Sequence, residues 1–292
     1  MDAGGQPDAT HLDATRLARL EHENLIEAVR AYGSQVAGGR VERMGGVSMV
    51  ATGLPLFLFN QVLIEASGGG AANAPADEAP PFEAQAEAIA SAVSIMRERH
   101  DRFAVNLRRG PDDRFRPLME RFGLIPLPDN PWLPGMAMHS LPTAGSAPPG
   151  AGHEIRRVTD PSGLADHVIT AADGFGMPVS WVEAVMSDAV LAHPDAFVYV
   201  GYTDGAPVTS GLGFRTGRTI GVYNIATVES ARRRGYGAAM TMRIVDDGAA
   251  AGCDVAILQA SEMGLPIYER LGFRLVLEYD AFVDPASLRA AG

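Results

Sequence analysis

The sequence predicts an α+β fold built twice, in two halves of related pattern. Strand-like and helix-like segments alternate along the chain, two short blocks recur in the same order in both halves, and a stretch rich in Pro, Gly, Ser and Ala divides them. At 292 residues, 47% of them hydrophobic, the chain is long enough for each half to bury its own core.

Taken in order, residues 1–10 are small and polar and read as a loose tail. A helix is predicted over 13–32, with Leu17, Leu20, Leu25, Ala28 and Tyr32 near one face and Gly33 as its stop. Strand patterns cover 46–51 and 56–64, and a Gly- and Pro-rich stretch at 67–81 reads as flexible. A helix at 82–99, a strand at 102–107 and a short helix at 113–122 follow. The stretch 142–152 reads as a linker, so the expected domains are residues 1–141 and 153–292. Late in the second half comes a strand at 222–228, then a turn carrying Arg232, Arg233, Arg234, Gly235 and Gly237. After it an amphipathic helix places Ala238, Met242, Val245 and Ala249 on its apolar face, and a buried strand spans 255–258.

The recurring blocks argue for internal duplication. Pro-Leu-Met-Glu-Arg-Phe-Gly-Leu at 117–124 mirrors Pro-Ile-Tyr-Glu-Arg-Leu-Gly-Phe at 266–273, which sets Met119 opposite Tyr268. Upstream, Thr52, Gly53, Phe59, Asn60 and Glu65 mirror Thr216, Gly217, Tyr223, Asn224 and Glu229. The copies differ where chemistry would sit, because residues 68–81 of the first half contain no Arg or Lys.

Composition excludes several classes. The single cysteine, Cys253, permits no internal disulfide and suits a reducing compartment, and it reads as core. The start resembles no secretory signal and no apolar run approaches the ~18 residues needed to span a bilayer, so a soluble cytoplasmic protein is expected. A net charge of −11 disfavours nucleic acid as a partner. Glu21, His22 and Glu23 fan out around their helix with no histidine one turn on, so no metal is expected, and Asp246 and Asp247 read as a solvated helix face.

The glycine-rich turn is the chief functional signal. A turn that opens a helix aims several N–H groups at one point and adds the positive end of the helix dipole, an arrangement suited to phosphate. The turn lacks the Lys-Ser/Thr ending of a P-loop and the third glycine and downstream acid of a dinucleotide fingerprint.

Arg232, Gly235 and Gly237 after a strand, with Tyr268, Gly272 and Phe273 one strand and one helix later, resemble the GNAT superfamily of acyl-CoA-dependent N-acyltransferases. The resemblance covers about residues 153–284. It implies two GNAT-like domains, each a mixed, mostly antiparallel sheet flanked by helices, the N-terminal one degenerate in the manner of tandem members of the superfamily. It implies acetyl-CoA or another acyl-CoA as co-substrate, a primary amine as acceptor, and direct transfer in a ternary complex without metal.

By the same resemblance, Tyr268 protonates the departing thiolate, and Ala226, Thr227 and Val228 contact the cofactor through the main chain of a splayed strand. Arg232, Arg233, Arg234, Gly235, Tyr236, Gly237 and Ala238 surround the pyrophosphate, at least one arginine reaching it, and Ser261 touches pantetheine. Glu229 is a candidate base, and one of Tyr223 and Asn224 should line the cleft. Acceptor selection falls to residues 174–178 and the helix bearing Trp181 and Glu183. The residues leave open a rival, a CoA-liganded regulatory or interaction protein that kept the pocket without the chemistry.

Overall fold

The computed structural model describes residues 12–65, 80–99, 101–128, 132–142 and 153–288. The expected tail, the 67–81 stretch except for its last two residues, and the linker after residue 142 lie outside them. The N-terminal half runs α1 (Ala14–Gly33), β1 (Arg40–Met44), β2 (Val47–Ala51), β3 (Asn60–Ile64), α2 (Phe82–Glu98), β4 (Ala104–Arg108), α3 (Arg116–Arg121), β5 (Ile125–Pro126) and β6 (Trp132–Met138). The C-terminal half runs β7 (His153–Arg157), α4 (Pro161–Phe175), α5 (Val179–Val185), α6 (Asp188–Leu191), β8 (Ala196–Thr203), β9 (Ala206–Thr216), β10 (Thr219–Thr227), α7 (Tyr236–Ala250), β11 (Val255–Gln259), α8 (Leu265–Arg270), β12 (Arg274–Val283) and α9 (Pro285–Leu288).

The α+β class is as expected, and the two halves repeat one topology. β1 to β4 pair antiparallel, antiparallel and then parallel, with α2 crossing from β3 to β4. β8 to β11 do the same, with α7 as the crossing helix. The recurring sequence blocks form α3 and α8, at matching places after the parallel strand.

The halves share one sheet, in the order β1-β2-β3-β4-β12-β6-β11-β10-β9-β8-β7. β6, from the N-terminal half, lies between β11 and β12, while β12 reaches across to pair with β4 and β5. Each half thus completes its sheet with the other's last long strand. Strand alternation sends successive side chains to opposite faces. Val62 and Ile64 meet α2 whereas Leu63 meets α1, and Ile220 and Val222 meet α7 whereas Tyr223 meets α1.

Helix α1 starts where Asp13 accepts a hydrogen bond from the Arg16 N–H at 2.7 Å. It crosses the joint between the halves, packing Leu25 and Ile26 with Leu63, Leu277 and Tyr279. It departs from a simple amphipathic helix, because Glu21, His22 and Asn24 are buried as fully as its leucines. The predicted strand over 56–64 begins as a 3-10 turn, Phe57–Phe59, and only its second part is β3. Cys253 is buried, as expected. Asp247 is not simply solvated, since it accepts from the Tyr199 hydroxyl at 2.6 Å and pairs with Arg243.

Shared strands imply shared stability. Urea unfolding followed by Trp fluorescence and by far-UV circular dichroism should give coincident transitions rather than one per half. Leu63→Ala, at a fully buried position in the joint, should cost about 3 kcal/mol across that single transition.

Candidate active site

The site begins where β10 leaves β11. The two strands pair in parallel from Thr219↔Val255 to Gly221↔Ile257, after which β10 continues to Thr227 and β11 to Gln259 without pairing. On its other edge β10 keeps β9, but with a bulge between Tyr223 and Ala226, where Asn224 takes a left-handed φ of 52°. An extra residue in one strand strengthens twist and bends the strand away.

The bulge resets which amides face the opening. The Val228 N–H donates to Val208 O at 3.0 Å, and bonded and non-bonded pairs alternate along an antiparallel ladder. Ala226 therefore spends its N–H on β9 as Val228 does, whereas Thr227 turns its amide toward the side that β11 has vacated. Of the three expected main-chain contacts, Thr227 alone keeps the N–H needed, because the ladder takes the other two.

Past the strand, Glu229–Ala231 form a 3-10 turn, and Arg233 and Gly235 take left-handed φ values of 63° and 83°. α7 then starts with Tyr236. The first main-chain bond of the helix runs from the Ala239 N–H to Gly235 O at 3.0 Å, so the N–H groups of Tyr236, Gly237 and Ala238 have no main-chain acceptor among the described residues. A Cβ at Gly235 would meet nothing within 4 Å, so the space in front of the turn is open.

The three arginines do different things. The Arg232 guanidinium donates to Thr227 O at 3.2 Å and to Gly174 O at 2.8 Å, tying the bulged strand to the end of α4. These two bonds make Arg232 a structural post between the strand and the helix. Arg233 and Arg234 are exposed on the turn. The Tyr236 ring is likewise engaged, stacked on His153 with centroids 4.2 Å apart and planes 16° from parallel.

Tyr268 on α8 is half-buried against the α7 core, edge-on to Phe273, with its ring filling the place a side chain at Gly264 would need. Burial pushes its phenol above the usual tyrosine value, against a smaller downward pull from the Thr241 hydroxyl. Thr241 itself donates to Gly237 O at 2.9 Å, so the glycine turn and Tyr268 meet through one residue of α7. Ser261 is exposed, and its Oγ accepts from the Gly264 N–H at 3.1 Å, which leaves its own O–H free to donate. Glu229 is exposed at the rim.

Tyr223 and Asn224 go to opposite faces. Tyr223 runs into the joint, where its hydroxyl donates to Asn24 Oδ1 at 2.6 Å, while Asn224 Nδ2 lies 3.7 Å from Met186 Sδ on the α5 side. α4 ends in left-handed Gly176, and Phe175 and Val179 stand exposed on either side of the turn before α5. Gly174 presses on Ala226 and Thr227, whereas Trp181 faces a cavity lined by Gly53, Leu54 and Arg102 of the N-terminal half. Sequence reasoning missed the buried polar cluster of Glu21, His22, Tyr279 and Gln259 beneath the end of β11. Its one signal was the polar run Glu21 to Asn24 inside an otherwise apolar helix. Among the described residues no group of side chains could hold a metal, and no helix is long and apolar enough to cross a membrane.

Residues 165–258 match the family model of the acetyltransferase (GNAT) domain. No curated protein matches the chain by sequence. Among solved structures, a GCN5-related N-acetyltransferase from Kribbella flavida is 15% identical, covering 90% of this chain and 95% of its own, at a TM-score of 0.64. A GCN5-related N-acetyltransferase from Sphaerobacter thermophilus is 15% identical over 82% of this chain and 80% of its own, at 0.56. A tandem GNAT protein from the clavulanic acid biosynthesis pathway is 12% identical over 93% and 95%, at 0.55. The fold is therefore that of tandem GNAT proteins.

Arg232→Ala should lower the urea midpoint by the equivalent of about 1 kcal/mol, through loss of two charge-assisted bonds at an exposed site, with an unchanged far-UV spectrum. An unchanged midpoint would remove Arg232 as the post between α4 and β10.

Proposed function

We propose that this member of the GNAT superfamily is an acyl-CoA-dependent N-acyltransferase, moving an acetyl group from acetyl-CoA to a primary amine in a ternary complex. Residues 153–292 form the catalytic copy, and residues 1–141 a copy that does not hold CoA, with Met119 in the place of Tyr268. The observation that carries this reading is the opening between β10 and β11, around which the Thr227 amide and three N–H groups at the start of α7 have no main-chain acceptor among the described residues, beside the Tyr268 phenol.

The chemistry follows from those parts. The N–H groups of residues 236–238 and the helix dipole hold the pyrophosphate, with Arg233 and Arg234 supplying charge at the mouth and the Ser261 O–H donating to pantetheine. The amine attacks the thioester carbonyl, and the Thr227 N–H donates to the oxyanion as it forms. The C–S bond breaks, and the Tyr268 O–H protonates the departing thiolate. A raised phenol value keeps that proton in place at neutral pH. Glu229 takes the amine's proton through water.

Incubation of the protein with acetyl-CoA and a panel of amines should release free thiol only when an acceptor is present; binding without such release would sink the enzyme reading. Tyr268→Phe should lower kcat by about 100-fold or more with CoA affinity unchanged. The alkaline limb of the wild-type rate profile should lie above the ordinary tyrosine value and vanish in that variant. Gly235→Asp should abolish CoA binding in calorimetry, since it strains a φ of 83° and puts negative charge where phosphate would lie.

A further inference from the structure

Glu21 on α1 is fully buried at the joint of the two halves and takes no part in the proposed transfer. Its Oε1 accepts from Gln259 Nε2 at 2.6 Å, and its Oε2 lies 2.7 Å from the Tyr279 hydroxyl. That hydroxyl is 2.9 Å from His22 Nδ1, and His22 Nε2 is 2.6 Å from Ile64 O.

The hydrogens along this row can be counted. A carbonyl oxygen only accepts, so His22 Nε2 carries a hydrogen toward Ile64. Burial, helped by the nearby Arg108 cation, holds His22 neutral, which leaves Nδ1 as a lone pair in need of a donor. Tyr279 has one O–H, and His22 requires it. The phenol oxygen then faces Glu21 as an acceptor, and a contact of 2.7 Å between two acceptors needs a hydrogen from Glu21.

We propose that Glu21 is held as a carboxylic acid, and that its proton latches α1 to the exchanged strand β12 and to the end of β11, the wall of the opening. Without that proton the Tyr279 O–H turns to the carboxylate, His22 Nδ1 faces oxygen with no hydrogen between them, and a charge is left buried.

The surroundings agree. Among the described residues, His22 on α1, Tyr279 on β12, Tyr223 on β10 and Arg108 on β4 are the titratable or charged groups around Glu21, and Arg108 is engaged by both oxygens of Asp112. β11 contributes the Gln259 amide, β3 offers the Ile64 carbonyl to His22, and on β6 a Cβ at Gly135 would fall 2.7 Å from Glu21 Oε1. Burial pushes the carboxyl up to about 7, against smaller downward pulls from Gln259, Tyr279 and Arg108. A folded-state value above the unfolded one makes the latch fully stabilising below about pH 4.5 and loses that stabilisation as pH rises through about 7.

Difference infrared spectroscopy of the full-length protein should show a protonated carboxylic C=O stretch that titrates near pH 7 and is missing from Glu21→Gln. The glutamine reproduces the acid, with its oxygen accepting from Gln259 and its N–H donating to Tyr279. Hydrogen exchange at the Ala260 amide, which donates to Pro134 O of β6, corrected for intrinsic pH dependence, should speed up above that pH in the wild type and not in the variant. The absence of such a band from the wild type, as an ionised Glu21 paired with cationic His22 would give, overturns the proposal. So does exchange with the same pH dependence in both proteins. If the variant does not fold, the wild-type band decides alone.

Discussion

Two parallel strands that stop pairing while both continue are the constraint on which the C-terminal half depends. β10 and β11 share three register positions and then part, and the bulge at residues 224–225 supplies the bend. Unpaired main-chain groups are costly when buried, which is why strands rarely separate inside a sheet. Here the cost falls on one side only. β11 stays paired with β6 as far as Gln259, β10 stays paired with β9, and the amides left over face a common space. Arg232 and the close fit of Gly174 then hold the diverging strand against α4, so the opening is fixed by packing.

The strand that keeps β11 satisfied belongs to the other half. β6 brings Gly135, whose missing side chain admits Glu21, and α1 brings Glu21, His22 and Asn24 onto the face beneath the opening. Buried polar side chains are stabilising only when every partner is present. Their partners lie on β3, β9, β10, β11 and β12, so the cluster specifies how the halves meet as well as adding to the energy of that meeting.

What the sequence disclosed follows from the kind of signal each part carries. α7, β11 and α8 were legible because glycines at 235, 237 and 272, an apolar run and a tyrosine at fixed spacing have few other uses. β1 was missed because Arg40–Met44 is a half-exposed edge strand with three charged residues, and β6 because Pro134 and Gly135 read as strand breakers. Pro134 is tolerated there, its carbonyl accepting from Ala260, and Gly135 is required by the approach of Glu21. Three arginines in a row gave no periodic signal that Arg232 turns back to the carbonyl oxygens of Thr227 and Gly174. Strand exchange has no local signature at all, since it depends on pairing between residues more than a hundred positions apart.

That exchange fixes the order in which the molecule can be finished. Among the described strands β12 is synthesised last, yet it occupies a central slot between β4 and β6. Until residues 274–283 are free, the N-terminal half has a sheet with an unfilled edge and α1 lacks Tyr279 to close its polar row. Open edges in a nascent chain invite mispairing. Maturation of the first half therefore waits for the synthesis of residues 274–283, and a chain cut short before β12 would lose the integrity of both halves at once.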